Sequence, residues 1–474
     1  MHLPRIAVLL VLTTIPLLFG AVHPIVLSLY ICIVLLGLGG WLLLRQPGAA
    51  ETAVSWRWLL PVVLLLVWMA LQSLPLPLSW MDLLSPARAE RVRLVGLLTG
   101  EERNFLPITD QGAASLQQVV LFLALLLYFF SVRALLRDHP PFMYTIAGAI
   151  ALAGTFEALY GLFQFLRPQL GVLWLPIPAR AAHGTIIYKN QYAALLNMCW
   201  PVTCAMAVAY LRKIFSVETG RSARRLFGQV LRNLNRKNNL AALYLFATGI
   251  MLLAVLFSLS RGGIIAMLVV LFSLNLALPL SRKTKIVVSA CLLAFLGGYG
   301  MLLGLETVVN RFNSIDQSGL GRISVYLGSL PMLRDHWLTG IGLGSYDLLS
   351  PVYLKGMPPQ IHFDHAHNEY LEFALELGLP AALLLFGWLG AVMLSAGRKL
   401  ARLNRSPARH TASTMLGSAA FCGLLGFFMH GWADFGWRLP ANLFYAATLG
   451  ALLAAALEAQ SLEKKARMAM QGDS

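Results

Sequence analysis

Charge is what this sequence has least of. Of its 474 residues only 12% are charged, where soluble globular domains carry about 25%. Hydrophobic residues make up 58% and the mean hydropathy is +0.69. A soluble protein of this size could not cover its surface with so few polar groups, and the same composition excludes disordered, collagenous and coiled-coil chains. The short alternating strands of an outer-membrane barrel are also missing. The apolar residues form long runs instead, of the length at which a helix crosses a bilayer. The fold class is therefore an all-α polytopic membrane protein. Cysteine is scarce too. Cys32, Cys199, Cys204, Cys291 and Cys422 all lie inside apolar runs and form no CxxC pair, so they read as small buried hydrophobes rather than a disulfide framework or a thiolate metal site. There is no HExxH, no DxD, no internal repeat and no low-complexity tract. The chain reads as one membrane domain, residues 1–474.

Twelve apolar segments are expected, near 5–22, 24–44, 58–74, 113–132, 142–166, 190–211, 239–259, 262–280, 284–304, 367–396, 412–431 and 437–457. A cytoplasmic N-terminus puts 24 of the 37 basic residues, but only six acidic ones, in the internal loops and tails. That is the asymmetry of the positive-inside rule, and it fixes the orientation. It also accounts for the net charge of +16 without a nucleic-acid partner. The basic loop 212–238 reads as a topology anchor that touches anionic membrane lipids. Three regions on the outer side exceed tight turns: 75–112, 167–189 and the large helical loop 305–366 between the ninth and tenth segments. Chemistry is expected on that side, because the internal loops are basic and otherwise plain.

Polar residues at the outer boundary are the site candidates. Ile361-His362-Phe363-Asp364-His365-Ala366-His367-Asn368-Glu369-Tyr370 runs into an apolar helix. His367 and Asn368 are expected in its first turn, with Asp364 or His365 near the cap. A helix start disfavours imidazolium and attracts phosphate, so a histidine there suits general-base work. His362, His365 and His367 would alternatively suit zinc, and the whole stretch would suit an ordinary polar interface. Ser260-Arg261-Gly262-Gly263 divides two apolar runs. An arginine at that depth needs a partner, and the glycines permit close approach. Lys189 and Asn190 open the sixth segment, where a lysine is misplaced unless an anion sits nearby. Arg322 and Tyr326 begin an amphipathic pattern in the large loop, which Pro331 should kink. Gly340-Ile341-Gly342-Leu343-Gly344 reads as a tight turn. Glu157, among apolar neighbours, needs a buried partner or a proton. Asp434 sits in the short outer turn before Trp437 and Arg438, and its role is open. In the acidic row Glu369, Glu372 and Glu376, Glu369 is expected to line the site and Glu376 to be paired.

Taken together these segments resemble the O-antigen ligase / Wzy-type polymerase superfamily. The resemblance runs from about 184 to 450. It rests on Gly184-Thr185 with Lys189-Asn190, Ser260-Arg261-Gly262-Gly263, Gly321-Arg322 with Tyr326, Gly340–Gly344, His365–Tyr370 and Glu376-Leu377-Gly378-Leu379-Pro380. His367-Asn368, nine residues and then Gly378 fit the ligase signature. Ala381 stands where that signature expects Gly, Thr or Tyr.

The resemblance implies a glycosyltransferase of the multi-span C class, in the bacterial inner membrane with its site facing the periplasm. It implies a glycan donor on undecaprenyl diphosphate and no metal or cofactor. The acceptor would be lipid A–core in a ligase, or a second lipid-linked glycan in a polymerase. His367 would be the base, Arg261 and Arg322 would meet the diphosphate, and Lys189, Asn190, Asn368, Glu369, His365 and Tyr326 would bind substrate. Direct displacement would invert the anomeric carbon. A lipid-linked sugar transporter is the rival reading; it would need a polar path at the membrane midplane and related halves.

Overall fold

The protein is described by a computed structural model. It covers residues 2–45, 55–101, 103–177, 180–215, 236–278, 315–355, 363–404 and 411–472, with short pieces between 282 and 298. The expected segment 284–304 and His362 thus lie wholly or largely outside the described residues, as does most of loop 212–238.

The architecture is helical, as the composition requires. In chain order the helices that matter here are α1 (His2–Thr14), α2 (Pro24–Leu44), α3 (Trp56–Gln72), α4 (Leu78–Leu84), α5 (Pro86–Thr99), α6 (Gly112–Asp138), α7 (Phe142–Leu166) and α8 (Lys189–Phe215). They continue with α9 (Arg236–Phe257), α10 (Arg261–Ala277), α11 (Ile315–Asp335), α12 (Tyr346–Tyr353), α13 (Glu369–Leu377), α14 (Leu379–Asn404), α15 (Ala412–His430) and α16 (Pro440–Gly472). Among the described residues eight helices are long and apolar enough to cross a membrane, and α1, α3 and α10 are shorter apolar helices. Starts and stops follow local chemistry. Proline opens α5 and α16, where its missing N–H costs nothing. Ser260 and Thr411 cap α10 and α15 with their hydroxyls.

Two expected segments differ from a single helix. The first breaks after α1 into a tight turn at Pro16–Ala21, where Phe19, Gly20 and Ala21 have positive φ. The tenth is divided at Gly378 (φ +81°), so α13 ends and α14 starts in a new direction. A Cβ at Gly378 would press on the Leu338 carbonyl, which is why glycine stands there.

The core is α8, packed mainly against α9 and α15. Between membrane helices, small side chains allow the close approach that dispersion needs. Ala193, Ala194, Ala205 and Ala207 of α8 are fully buried. Gly423 of α15 lies against the backbone of Met198, and Gly154 of α7 against Cys199. Polar links fix the register. Asn197 Nδ2 donates to the Gly263 carbonyl (2.8 Å) while its Oδ1 accepts from Trp200 Nε1 (3.0 Å). Glu157 has its buried partner: its carboxylate takes the Thr185 N–H (2.8 Å) and hydroxyl (2.6 Å).

The region 75–112 is a packed helical hairpin, not an open loop. A short ladder, Leu76 opposite Leu106 and Pro77 opposite Phe105, closes its base. Arg88 ties it together from inside, with Nε to the Pro107 carbonyl (2.7 Å), Nη2 to the Thr109 carbonyl (2.7 Å) and Nη1 to Asp110. Arg91 adds a second pair to Asp110 (3.2 Å) and reaches His336 Nε2 (3.1 Å) after α11. The glycine-rich turn 340–344 is tight, as expected: Gly340, Gly342 and Gly344 all have positive φ. It adds extended hydrogen bonds to the end of α13, from Ile341 N to Leu375 O (3.0 Å) and Gly342 N to Glu376 O (2.9 Å).

Candidate active site

The turn that joins α15 to α16, residues 431–439, is where the candidate residues meet. α8, α10, α13 and α11 all touch it. From α8, Gln191 Nε2 donates to the Phe435 carbonyl (3.3 Å), and Asn442 Nδ2 closes the junction on the Gln191 carbonyl (3.1 Å). From α10, Gly262 faces the turn: a Cβ there would lie 3.4 Å from Ala433 Cβ. From α13, Glu369 N donates to the Gly431 carbonyl (2.8 Å) and Glu369 Oε1 accepts the Trp437 N–H (2.5 Å). From α11, Arg322 Nη1 donates to the Ala433 carbonyl (2.6 Å) and Nη2 pairs with Asp434 Oδ2 (3.3 Å).

Asp434 is the link the sequence left open. It is 2% exposed and lies between the cation and the imidazole: Oδ2 faces Arg322, and Oδ1 is 3.6 Å from His367 Nδ1. That last distance is within ion-pair range and longer than a hydrogen bond. Burial works against the charge on Asp434, but His367, His430 and Arg322 outweigh it and hold the carboxyl below its ordinary range. A carboxylate behind Nδ1 is placed to orient the ring and to favour the tautomer in which Nε2 accepts a proton.

His367 does not sit in the first helical turn. The cap is Asn368, whose Oδ1 accepts from Leu371 N (3.1 Å), and α13 begins at Glu369. His367 precedes the cap at φ +54°, a conformation uncommon outside glycine and worth noting where it occurs. Tyr326 OH holds it there by donating to the His367 carbonyl (2.9 Å). The Phe435 ring is the floor of the site. His367 meets it edge-on (4.9 Å between centroids), His365 stacks on it (4.5 Å) and Tyr188 meets it edge-on (5.3 Å). Tyr188 immediately precedes Lys189 and Asn190, which open α8 half-buried, as expected.

The structure therefore draws Lys189, Arg261, Arg322, His365 and His367 to elements around one turn, but several expected roles shift. Glu369, expected to line the site, is fully buried and pairs with Arg438 Nε at 3.3 Å. Asn368 spends its carbonyl on the helix cap, and Tyr326 acts on the His367 backbone. His365 turns its Nδ1 to Glu372 Oε1 (2.8 Å), not to a shared metal position. Among the described residues no group of three His, Cys, Asp or Glu is arranged to hold a metal ion.

Arg438 was not foreseen as the hub of the acidic row. It reaches Glu369, Glu372 (3.3 Å) and Glu376 (2.8 Å), with its guanidinium over the Phe373 ring (4.6 Å). Three buried carboxylates share one arginine. Burial and the charge of Glu372 push Glu369 and Glu376 up against the pull of Arg438, while Glu372 is held down by Arg438 and His365 despite its burial. Beside this cluster is a pocket of about 160 Å³, lined by residues that include Gln118, Tyr346, Asp347, Asp364 and His365.

Residues 246–386 match the Wzy_C family, described as O-antigen ligase. That match supports the O-antigen ligase / Wzy-type superfamily. The matched segment contains Arg261, Arg322 and His367 and ends inside α14. No curated protein matches the chain. Asp434 and Arg438 lie beyond the matched segment. The signal that could have exposed them is the run His430-Gly431-Trp432-Ala433-Asp434-Phe435-Gly436-Trp437-Arg438, where charges and aromatics crowd a connection too short to be solvated.

Proposed function

We propose that this O-antigen ligase-type transferase moves a glycan from undecaprenyl diphosphate to a sugar hydroxyl of lipid A–core. The reaction takes place on the outer face of the bacterial inner membrane. The observation that carries the reading is Asp434 set between Arg322 and His367. It couples a fixed cation, suited to a diphosphate, to an imidazole suited to a hydroxyl. In the reaction, His367 Nε2 takes the acceptor hydroxyl proton as the oxygen bonds to the anomeric carbon. The bond from that carbon to the phosphate oxygen breaks, and the diphosphate leaves with the electron pair. Arg322 and Arg261 stabilise that developing charge without proton transfer, and the arginine fork suits phosphate oxygens. Attack opposite the leaving group inverts the anomeric carbon. Asp434 steadies the imidazolium until the proton is released.

The test is transfer by purified protein in proteoliposomes from lipid-linked glycan. Product on lipid A–core supports ligation. A lengthened ladder on the undecaprenyl carrier supports the polymerase alternative, for which Ala381 in the signature position speaks. Translocation without a new glycosidic bond would sink both. A general base supplies roughly 10²–10⁴-fold, so His367→Ala should lose that much in kcat with the melting temperature unchanged.

A further inference from the structure

Buried histidines with both ring nitrogens idle are rare, because each unpaired polar atom out of water costs free energy. His430, the last residue of α15, is 2% exposed, and neither Nδ1 nor Nε2 has a hydrogen-bond partner in the structure. Its position gives this a meaning. A Cβ on Gly262 would lie 2.9 Å from His430 Cδ2 and 3.1 Å from Nε2. The imidazole edge is thus laid against the first turn of α10, next to Arg261. Glycine at 262 is what lets the ring come so close. Ser260 takes the Gly263 N–H on its hydroxyl and the Ile264 N–H on its carbonyl, so α10 starts cleanly and presents its positive end here. One turn beyond His430 is Asp434, and with it Arg322.

We infer that His430 is a further binding residue of the transferase, donating a hydrogen bond from Nε2 to an oxygen of the diphosphate drawn by Arg261 and the α10 N-terminus. The inference rests on the reading of a lipid diphosphate as donor. It assigns His430 a separate task from His367. His367 faces the carboxylate of Asp434 and serves the acceptor; His430 faces the glycine turn and serves the leaving group. A neutral imidazole can donate there without carrying charge into a buried position, and the cations beside it supply the charge. The unpaired nitrogens are then the cost of a contact made only when the anion is bound.

The experiment uses full-length protein in nanodiscs, with inorganic pyrophosphate as the binding probe and undecaprenyl-diphosphate glycan for kinetics. His430→Phe keeps an aromatic ring against Gly262 and removes both nitrogens. Loss of one hydrogen bond to a charged oxygen should weaken pyrophosphate binding roughly 10- to 100-fold and raise the donor KM in step, leaving the acceptor KM within about twofold. His430→Gln places an amide N–H near the Nε2 position and should restore most of the binding, which a merely packed histidine would not require. Melting temperature is followed for both variants. A folded His430→Phe protein that binds pyrophosphate as the wild type does, with unchanged donor KM, overturns the assignment while leaving transfer intact. Wild-type protein that binds pyrophosphate through His430 yet transfers no glycan leaves the assignment standing and sinks the transfer reading instead.

Discussion

Asp434 shows how much one carboxylate can organise. It is buried, held below its ordinary range, and shared by Arg322 and His367. Asp434→Asn keeps the shape and removes the charge. The expected result is a fall in kcat of the order of the general-base contribution, about 10²-fold or more, with the fold retained by melting temperature. Unchanged kcat would mean that His367 needs no orienting group. A second residue-scale prediction concerns His365 and Glu372. Burial alone would lower the His365 value, but Glu372 beside it raises it above 6.5. The pair therefore stabilises the fold fully below the ordinary histidine range, and that contribution is lost as pH rises through the raised value. Melting temperatures measured from pH 5 to 9 should fall more across the upper half of that range in the wild type than in His365→Gln. Parallel curves would show that the pair is not linked to folding.

At the scale of elements, α13 is the piece whose position matters most, and it is held from three sides. Gln72 Nε2 at the end of α3 donates to the Thr339 (2.7 Å) and Glu376 (2.8 Å) carbonyls; the glycine turn adds its backbone bonds; Arg438 binds the carboxylates. Arg438→Met would bury three carboxylates without the cation they share, leaving His365 and the N–H groups of Gly344, Ala366 and Trp437 to hold them. Removing one partner of a buried ion pair costs about 3–5 kcal/mol. A sharp fall in folded yield and melting temperature is therefore expected, and a stable, active Arg438→Met protein would contradict it. This element also shows what was legible beforehand. The row of glutamates was visible as letters and the pairing of Glu376 was expected, whereas the break at Gly378 inside the expected segment 367–396 was not. That one arginine 62 to 69 residues downstream serves the whole row was not legible either, because spacing along a helix reports which face a side chain is on and says nothing of what a distant segment brings to it. The start of α13 was expected too early: Asp364 or His365 was expected near the cap, and the cap is Asn368, three or four residues on, just after the His367 carbonyl that Tyr326 holds.

Across the whole molecule, composition and periodicity read the class and most of the helices correctly, since burial in a bilayer demands long apolar runs. Arg261, Arg322, Lys189 and His367 were legible as candidates because each breaks a rule of its surroundings. Asp434, Arg438 and Phe435 were not, since they obey those rules until the partners are placed. The ends of α8, α10, α15 and α16 that frame residues 431–439 lie together, and the strongly basic segments near Arg212, Arg236 and Arg402 belong to the opposite ends of their helices. That division of charge predicts which way the protein faces. With the native cysteines replaced by alanine, Trp174→Cys and Trp80→Cys, both at exposed positions (71% and 60%), should react with a membrane-impermeant maleimide in intact spheroplasts. Arg402→Cys should react only after the membrane is opened, because the basic ends are retained in the cytoplasm. Labelling in the reverse order would put His367 and its cations on the wrong side for a lipid-linked donor displayed at the outer face.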